Sequence, residues 1–383
     1  MARQNVGNPK FYVDYLSYWN AKGNIESVEI ASPTQISGDF RKLIGLNPSD
    51  FIREDIEYAF AITIKLKDGM YIPRGTDDKF FLGLFGHNFY STYINGVQMT
   101  FKDHNGNVVL DTDELTIDEI CNWRWLAADD TDPETGDLDT DTNTYNGWSM
   151  GEWTGGDSDS FYTIELAFTS IVQDYDAVDN TLETVLGSLG FGYAFQMPHS
   201  PDLKLTMTRD YDGIQEQTTR GGSTLTQINY HGPSYWAGYP AWELYTSNSI
   251  TYIDDNYIET RVSAKGRRVW DLKFSYIDYK SIMPILENLW SVNPTDSETE
   301  GGYDDTDIAS NGVFDTDIRR DSSFMGVVME KTIGGALPFI FQPDGNNNSP
   351  DQFAICKLDQ SSFKFKQVAH NVYDVSLKIR EVW

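Results

Sequence analysis

Three aspartates at alternate positions come nearest to a metal site in this sequence. Asp137, Asp139 and Asp141 have the spacing that begins a calcium loop, where several carboxylate and carbonyl oxygens converge on a hard cation. Thr142 stands where an EF-hand loop needs glycine, and Trp148 stands where it needs a bidentate glutamate. The spacing therefore argues against an EF-hand. It leaves two interpretations, a solvated acidic loop or a calcium site of another kind.

Histidine, cysteine and glycine patterns predict no catalytic centre. Two cysteines, Cys121 and Cys356, lie too far apart in sequence for metal-ligand spacing, and no nucleophile elbow or phosphate-binding loop occurs. No two histidines have the spacing of a zinc site; they are His87, His104, His199, His231 and His370. We therefore predict no enzymatic activity, no catalytic residue and no cofactor apart from the calcium alternative. A glycosidase needs one pair of carboxylates, and the sequence does not single out such a pair among its 58 acidic residues. A depolymerising activity therefore stays open.

Aromatic and polar side chains in two predicted loops could contact a sugar or a protein partner. Rings stack on apolar faces, and imidazole and amide groups supply hydrogen bonds, but exposed rings also anchor protein interfaces. The predicted contact residues are His87, Asn88, Tyr235, Trp236, Tyr239 and Trp242. Both readings, subunit packing and sugar stacking, remain open at this point.

The charge of the chain excludes several classes of partner. It has 58 acidic and 29 basic residues, a net charge of −29, which repels nucleic-acid phosphates and anionic membrane surfaces. The first residues lack the apolar core of a signal peptide, and no run of 18 apolar residues occurs. We therefore expect neither a nucleic acid nor a membrane as partner.

Alternating apolar residues predict that the first half of the chain is β-sheet. Residues 57–66 and 161–168 alternate at period two, and residues 79–85 form an apolar run typical of a strand buried on both faces. Asn105-Gly106, between two alternating segments, predicts a hairpin with a two-residue primed turn. With 14% aromatic residues and 31 glycines, the composition also favours sheet. The fold class is mainly β, with an N-terminal β-sandwich domain.

Two prolines and several polar residues near residue 200 suggest a domain boundary. We predict a lectin-like β-sandwich domain over 1–200 and a second β-rich domain over 201–383. Helical spacing of apolar residues predicts two short helices in the second domain, near 281–290 and 323–333.

Capping residues and alternation refine the prediction for the second domain. Ser281 is the expected N-cap of the first helix, and Gly334-Gly335 the expected end of the second. The segment that ends at Tyr276 is predicted to be a strand with four aromatic or apolar residues on one face, namely Trp270, Leu272, Phe274 and Tyr276. Residues 373–380 give the clearest half-buried strand.

Two acidic segments interrupt this order, residues 127–160 and 291–322. Their carboxylates cannot all be buried, because each unpaired charge would carry a large desolvation cost. We expect both segments to lie outside the core, as solvated arms or as contacts with partner surfaces.

Several segments resemble proteins of tailed bacteriophages. Residues 80–88, which end Leu-Phe-Gly-His-Asn, resemble a Leu-x-Gly-His-Asn segment of the lectin-like and discoidin-like β-sandwiches in phage tail proteins. In the other half, residues 266–276, 335–344, 367–369 and 376–383 are similar, in the same order, to virion proteins of marine tailed phages. The resemblance covers about half of the chain.

The resemblance implies a structural protein of the virion, assembled in the host cytoplasm. It implies a tail component, for which we expect a ring-forming tail-tip or tail-adaptor protein that links the tail to host-recognition elements. Its partners would be other tail proteins and further copies of itself in a homo-oligomeric ring, with a host surface glycan as a further candidate partner. The alternative is a carbohydrate-binding or depolymerising host-recognition protein.

Overall fold

Strands dominate the structure, a computed structural model, which confirms the prediction of a mainly β chain. It describes residues 6–31, 40–47, 52–54, 60–70, 79–87, 94–111, 115–116, 147–154, 160–170, 184–203, 205–210, 214–228, 267–282, 323–347, 352–359 and 362–382. The strands are β1 (Lys10–Asp14), β2 (Ile25–Ala31), β3 (Ile52–Glu54), β4 (Phe60–Met70), β5 (Lys79–His87), β6 (Ile94–Lys102), β7 (Val108–Asp111), β8 (Leu115–Thr116), β9 (Gly147–Thr154), β10 (Phe161–Ser170), β11 (Thr184–Leu186), β12 (Ser188–Gln196), β13 (Thr206–Asp210), β14 (Ile214–Thr218), β15 (Thr224–Ile228), β16 (Arg267–Asp278), β17 (Phe339–Gln342), β18 (Ala354–Leu358), β19 (Phe365–Ala369) and β20 (Val372–Glu381). The helical segments are α1 (Tyr15–Ala21), a 3-10 turn (Phe40–Leu43), α2 (Tyr279–Ile282) and a π-helix (Met325–Met329).

A ten-stranded antiparallel sheet, called here the long sheet, runs through both halves of the chain. Its strand order is β13-β16-β20-β18-β17-β1-β12-β5-β9, and β19 pairs with β20 beside this path. β1 lies at the junction, because it pairs with β12 on one side and with β17 on the other. The long sheet therefore takes strands from both sides of the predicted boundary near residue 200.

A second antiparallel sheet packs against one face of the long sheet. Its strand order is β2-β4-β10-β6-β7, with β8 paired to β6. Phe101 in β6 joins the two layers, since its ring centroid lies 6.3 Å from that of Phe80 and 5.6 Å from that of Phe191. One apolar cluster continues from this sandwich to β16, β17 and β20. The core is therefore shared by residues from both halves.

Part of the opposite face of the long sheet is buried as well. A second apolar cluster there includes Phe81, Phe85 and Ile340. Gly190 makes room for it, because a Cβ atom at this position would lie 3.3 Å from both the Phe81 and the Phe85 rings. The continuous apolar run predicted at residues 79–85 is thus a strand buried on both faces, as expected.

The helices agree with the sequence in part. The predicted second helix is present: Ser323 Oγ accepts the Gly326 N–H at 3.1 Å, and Gly334 has a left-handed φ of 68° at its end, although its central turns are π-helical. The first begins at Tyr279, so the predicted N-cap Ser281 lies inside it, and residues 283–290 are outside the described part of the chain. α1 was not predicted.

Among the described residues, no helix combines the length and the apolar character needed to cross a membrane.

The hairpin at Asn105-Gly106 is confirmed, but its turn is not a two-residue primed turn. Only Gly106 has a positive φ, of 83°, and its N–H donates to the Asp103 carbonyl at 3.1 Å. Asp103 Oδ1 also accepts the N–H groups of Asn105 and Asn107, each at 2.8 Å. This side-chain bonding favours a longer turn that closes on a glycine bulge.

Candidate functional site

A β-bulge in β16 reverses the side-chain alternation that the sequence predicts. The pairing of β16 with β20 shifts after Phe274, so that two residues, Ser275 and Tyr276, lie opposite Asp374. Ile277 takes the next buried position, and the Tyr276 side chain is 75% exposed. The prediction that Tyr276 shares a face with Trp270, Leu272 and Phe274 was wrong, because one extra residue in a strand moves every later side chain to the other face.

Tyr276 has a backbone conformation that is unusual for a bulky residue. Its φ is 63°, in the left-handed region that glycine commonly fills at bulges of this kind. Its N–H donates to Asp374 Oδ1 at 3.3 Å. A large aromatic side chain therefore projects into solvent from a strained position.

Charged and polar side chains lie at the bulge, on the residues next to Tyr276 in β16 and on residues bonded to them. Lys273 Nζ lies 3.6 Å from Asp202 Oδ2 and 3.7 Å from Asp374 Oδ2, and the Ser275 hydroxyl donates to Asp202 Oδ2 at 2.7 Å. The backbone fixes this arrangement, since the Asp202 N–H donates to the Lys273 carbonyl at 2.7 Å. These four residues and Tyr276 are called the bulge surface. It offers one aromatic face, one ammonium donor, two carboxylate acceptors and one hydroxyl.

A second polar group, called the Glu152 cluster, is partly buried on the long sheet. Glu152 Oε1 lies 2.8 Å from Lys10 Nζ and 2.5 Å from the Tyr12 hydroxyl, and Lys79 Nζ lies 3.6 Å from Oε2. The Tyr12 hydroxyl is also 2.9 Å from Gln342 Oε1. The cluster joins side chains of β1, β5, β9 and β17, so it ties the middle of the sheet to its β9 edge.

Electrostatics in the Glu152 cluster favour fixed protonation states. Burial alone would raise the pKa of Glu152, but the Lys10 ammonium, the hydrogen bonds from Lys10 and Tyr12, and the Lys79 charge together lower it. Burial, and then the Glu152 charge, raise the pKa of Tyr12 well above its usual value. The carboxylate stays ionised and the phenol stays protonated at neutral pH, so the cluster is suited to holding strands together rather than to exchanging protons.

Sequence reasoning missed Glu152 because it lies in the predicted acidic insert 127–160. Within that range, Gly147–Thr154 is not a solvated arm but the edge strand β9, with Met150 buried. The alternation of Trp148 and Met150 was the available signal.

Asp14 is a buried carboxylate that caps α1. Its two oxygens accept the N–H groups of Leu16 and Ser17, each at 3.1 Å, and Oδ1 also accepts the Phe191 N–H of β12 at 3.1 Å. Burial raises its pKa from 3.8 to about 6, although these hydrogen bonds and that of the Ser17 hydroxyl oppose the shift. Asp14 therefore joins a strand, a helix and a neighbouring strand through one titratable group.

Of the predicted contact residues, the structure describes only His87. Its side chain is 1% exposed, and Nε2 lies 2.8 Å from the Ser149 hydroxyl of β9. Burial lowers its pKa to about 3, which keeps the ring neutral. Within the described residues, His87 is thus placed inside the sheet, away from the bulge surface. Five predicted contact residues lie outside the described part of the chain: Asn88, Tyr235, Trp236, Tyr239 and Trp242.

The described residues contain no group of three or more histidine, cysteine or acidic side chains that could hold a metal ion. The calcium candidates Asp137, Asp139 and Asp141 lie outside those residues. Cys356 is a buried free thiol, and burial raises its pKa well above its usual value.

Apolar side chains are exposed along one edge of the long sheet. Leu203, Leu205 and Met207 alternate at period two, and their exposed fractions are 92%, 40% and 51%. This series is called the edge stripe. Leu203 and Leu205 precede β13, the terminal strand of the sheet, and Met207 lies within it. Leu225 of the β14–β15 hairpin is also exposed.

Comparisons with known proteins give limited similarity. No protein-family model matches the chain, and no curated protein is significantly similar to it. Among solved structures, it is similar to the enzymatically active domain of tailspike protein 4 of bacteriophage CBA120. The two chains are 13% identical, with a TM-score of 0.21 over 44% of this chain and 18% of the tailspike chain. The match thus spans less than a fifth of the tailspike chain.

One sequence prediction is corrected by this comparison. We predicted that the chain is not an enzyme, whereas the similar solved structure is an enzymatically active domain of a phage tailspike. That prediction is withdrawn. No reaction is carried over, because the alignment is too short and its TM-score too low to relate a site in that protein to residues in this one.

Proposed function

We propose that this chain is a structural component of a tailed-phage virion that assembles through the edge stripe of its long sheet. The resemblance of its segments to phage tail and virion proteins supports the virion assignment. The exposed edge stripe is the observation that supports assembly, because it supplies an apolar contact surface at the end of a sheet. We base the finer assignment, a ring at the tail tip or adaptor, on the same resemblance and the same exposed edge stripe.

The edge stripe is unusual for a strand that faces only water. Monomeric proteins protect terminal strands with charges, prolines or covering loops, since an open edge pairs readily with other chains. Leu203, Leu205 and Met207 instead place three large apolar groups at alternate positions. Burying them against a partner would remove this apolar area from water and stabilise the assembly.

The β14–β15 hairpin extends the same contact region. Its five residue pairs run from Ile214–Ile228 to Thr218–Thr224, and neither strand pairs with a third strand among the described residues. A two-stranded hairpin alone is marginally stable in water, so pairing with another chain would stabilise it. The edge stripe and the hairpin both lie within residues 203–228, and this segment of the sequence is called here the arm.

A second copy of this chain is the partner that the charges favour. The chain carries a net charge of −29, which opposes association over most of its surface. The arm has three basic and three acidic residues and is therefore neutral: Lys204, Arg209, Arg220, Asp210, Asp212 and Glu216. A neutral arm adds no like-charge repulsion of its own when it contacts another copy. If it contacts a different surface of that copy, the repeated contact generates a ring when the rotation closes.

Mass measurement of the full chain tests this proposal. We expect oligomers of defined size that become more abundant as salt screens the acidic surfaces. Met207→Lys should shift the population to monomers, because the charge would be buried at the contact. Val108→Lys is the matched control, since Val108 is also an exposed apolar strand residue but lies in the second sheet. Equal masses for both variants, or a single unpaired copy located in the virion by electron microscopy, would contradict the proposal.

A further inference from the structure

We infer that the bulge surface binds a neutral carbohydrate. None of its residues is among the predicted contact residues, and sugar binding there does not depend on the proposed oligomer. The inference rests on three observations, which are the conformation and exposure of Tyr276, the hydrogen-bonding groups at the bulge, and the net charge of the chain.

Tyr276 contributes little to the stability of the fold, so stability does not explain why a tyrosine occupies this position. Its ring is 75% exposed, and its φ of 63° suits glycine better than any residue with a Cβ atom. The adjacent Ile277 supplies the buried apolar group at this point of β16. What the tyrosine adds is therefore an aromatic face held towards solvent. A tyrosine side chain loses little conformational freedom on binding, because only two torsions need to be fixed.

The groups beside the ring match the hydroxyls of a sugar. A sugar hydroxyl both donates and accepts hydrogen bonds, so it can bridge a carboxylate and an ammonium. Asp202 and Asp374 both lie within 4 Å of Lys273 Nζ, at 3.6 and 3.7 Å, and so present acceptors and a donor side by side. The Ser275–Asp202 and Tyr276–Asp374 hydrogen bonds hold both carboxylates in place. One sugar unit can therefore stack on the ring while its hydroxyls bond to the carboxylates and the ammonium.

The net charge of the chain selects against acidic ligands. At the bulge surface two carboxylates face the Lys273 ammonium, and Lys366 of β19 is the register partner of Asp374, so the excess negative charge is that of the whole chain, −29. This net charge repels a uronate, sialate, sulfate or phosphate group, whereas it does not repel a neutral hexose. The surface is also shallow, so we expect weak binding per site, with a Kd of about 1 mM, close to the value for a small ligand with few contacts.

Ligand-observed saturation-transfer NMR on the full chain is the experiment that tests the inference. The probes are neutral hexasaccharides of glucose, mannose and galactose, with oligogalacturonate as the acidic comparator. We expect at least one neutral probe to bind and oligogalacturonate to bind more weakly. Tyr276→Ala should weaken binding about tenfold or more, which corresponds to about 1.4 kcal/mol, while the matched variant Tyr276→Phe keeps the ring and should stay within about threefold of the wild type. Lys273→Met should also weaken binding.

Each other outcome overturns the inference. It is wrong if no neutral probe binds, if oligogalacturonate binds more tightly, or if Tyr276→Ala binds as well as the wild type. A Tyr276→Ala variant that changes the oligomer mass without any sugar binding would show that the surface contacts protein instead. Thermal unfolding of each variant shows whether a loss of binding reflects a loss of fold, and Tyr276→Phe separates the two because it retains the ring.

Discussion

Two tyrosines of the long sheet show how differently one sheet can use the same residue type. Tyr12 in β1 is buried, and its hydroxyl lies against Glu152 and Gln342. Tyr276 in β16 is exposed at a bulge with a left-handed backbone. The first has its polar group satisfied within the fold, and the second costs conformational energy without burying its ring. The energetic role of a tyrosine here thus depends on whether its part of the sheet is covered.

This contrast predicts that changes in the Glu152 cluster affect folding, whereas changes in the bulge surface affect binding. A buried ionic group is costly to disrupt, because its partners lose their hydrogen bonds but remain out of water. An exposed group is solvated again when its partner is removed, so the stability changes little.

Removing Glu152 should have the largest effect. Glu152→Ala leaves the Lys10 ammonium and the Tyr12 hydroxyl without their carboxylate, and we expect the free energy of unfolding to fall by about 3 kcal/mol. Urea unfolding followed by circular dichroism measures the change. Glu29→Ala is the control, because Glu29 forms an exposed ion pair with Lys65 and should change stability by less than about 0.5 kcal/mol. Similar losses in both variants would remove the distinction between buried and exposed pairs.

Asp14 should make stability depend on pH. Its pKa in the folded chain, about 6, is above the value of 3.8 for the free group, so the folded state binds the proton more tightly. Its contribution is therefore fully present below about pH 4 and is lost as the pH rises through about 6, a change of about 3 kcal/mol.

Comparison with Asp14→Asn isolates this contribution. The asparagine cannot ionise, so the wild type should lose stability relative to the variant as the pH rises from 4 to 7, measured by urea unfolding at each pH. Asparagine keeps one of the two accepting oxygens, so the variant should be less stable than the wild type at pH 4. A stability difference that is constant with pH would contradict the raised pKa.

Replacing Tyr276 by glycine should raise stability while it removes sugar binding. Glycine adopts a φ of 63° without strain, so we expect Tyr276→Gly to increase the free energy of unfolding by about 1 kcal/mol. Tyr276→Ala is the comparison, because it removes the ring but keeps the strained backbone, and its stability should match the wild type. If Tyr276→Gly is less stable than the wild type, the tyrosine supports the fold, and the contrast with Tyr12 fails.

Lys273→Met should have the smallest effect on stability. The lysine is 52% exposed and its two ion pairs are screened by solvent, so we expect a change below about 0.5 kcal/mol. The same urea experiment measures it. A loss above about 1 kcal/mol would show that Lys273 helps to fix the bulge rather than to bind ligand.

The sequence predicted elements where periodicity and burial coincide. β4 buries Phe60, Ile62, Ile64 and Leu66 as the alternation requires, and the strand at the C-terminal end, β20, buries Val375, Leu377 and Ile379. α1 was not predicted from the sequence. Aromatic and apolar residues stand on both sides of Asp14, from Phe11 to Leu16, as they would in a strand, and only Asp14, the helix cap, marks the change to helix.

The bulge surface could not be predicted because a bulge leaves no period of its own. Tyr276 continues the alternation of Trp270 to Phe274, and only the pairing with β20 shows that one residue is extra. A register shift also occurs between β10 and β4 after Phe161, but there the extra residues lie in β4; Tyr162, beside the shift, is partly exposed. Pairing partners far apart in sequence decide such details, whereas short-range patterns decide whether a strand forms.

The position of β1 has a consequence for how the chain folds. β1 is made before the other strands of the long sheet, yet its partners are residues 192–196 and 340–342, and the Gly7 N–H donates to Asp344 Oδ1, 337 residues away. Contacts this distant in sequence give a high contact order and slow folding, since long loops must close before they form. During synthesis, apolar surface of Phe11 and Val13 therefore stays exposed until β17 has been made. Low temperature and chaperones should raise the yield of native chain by limiting aggregation during this period.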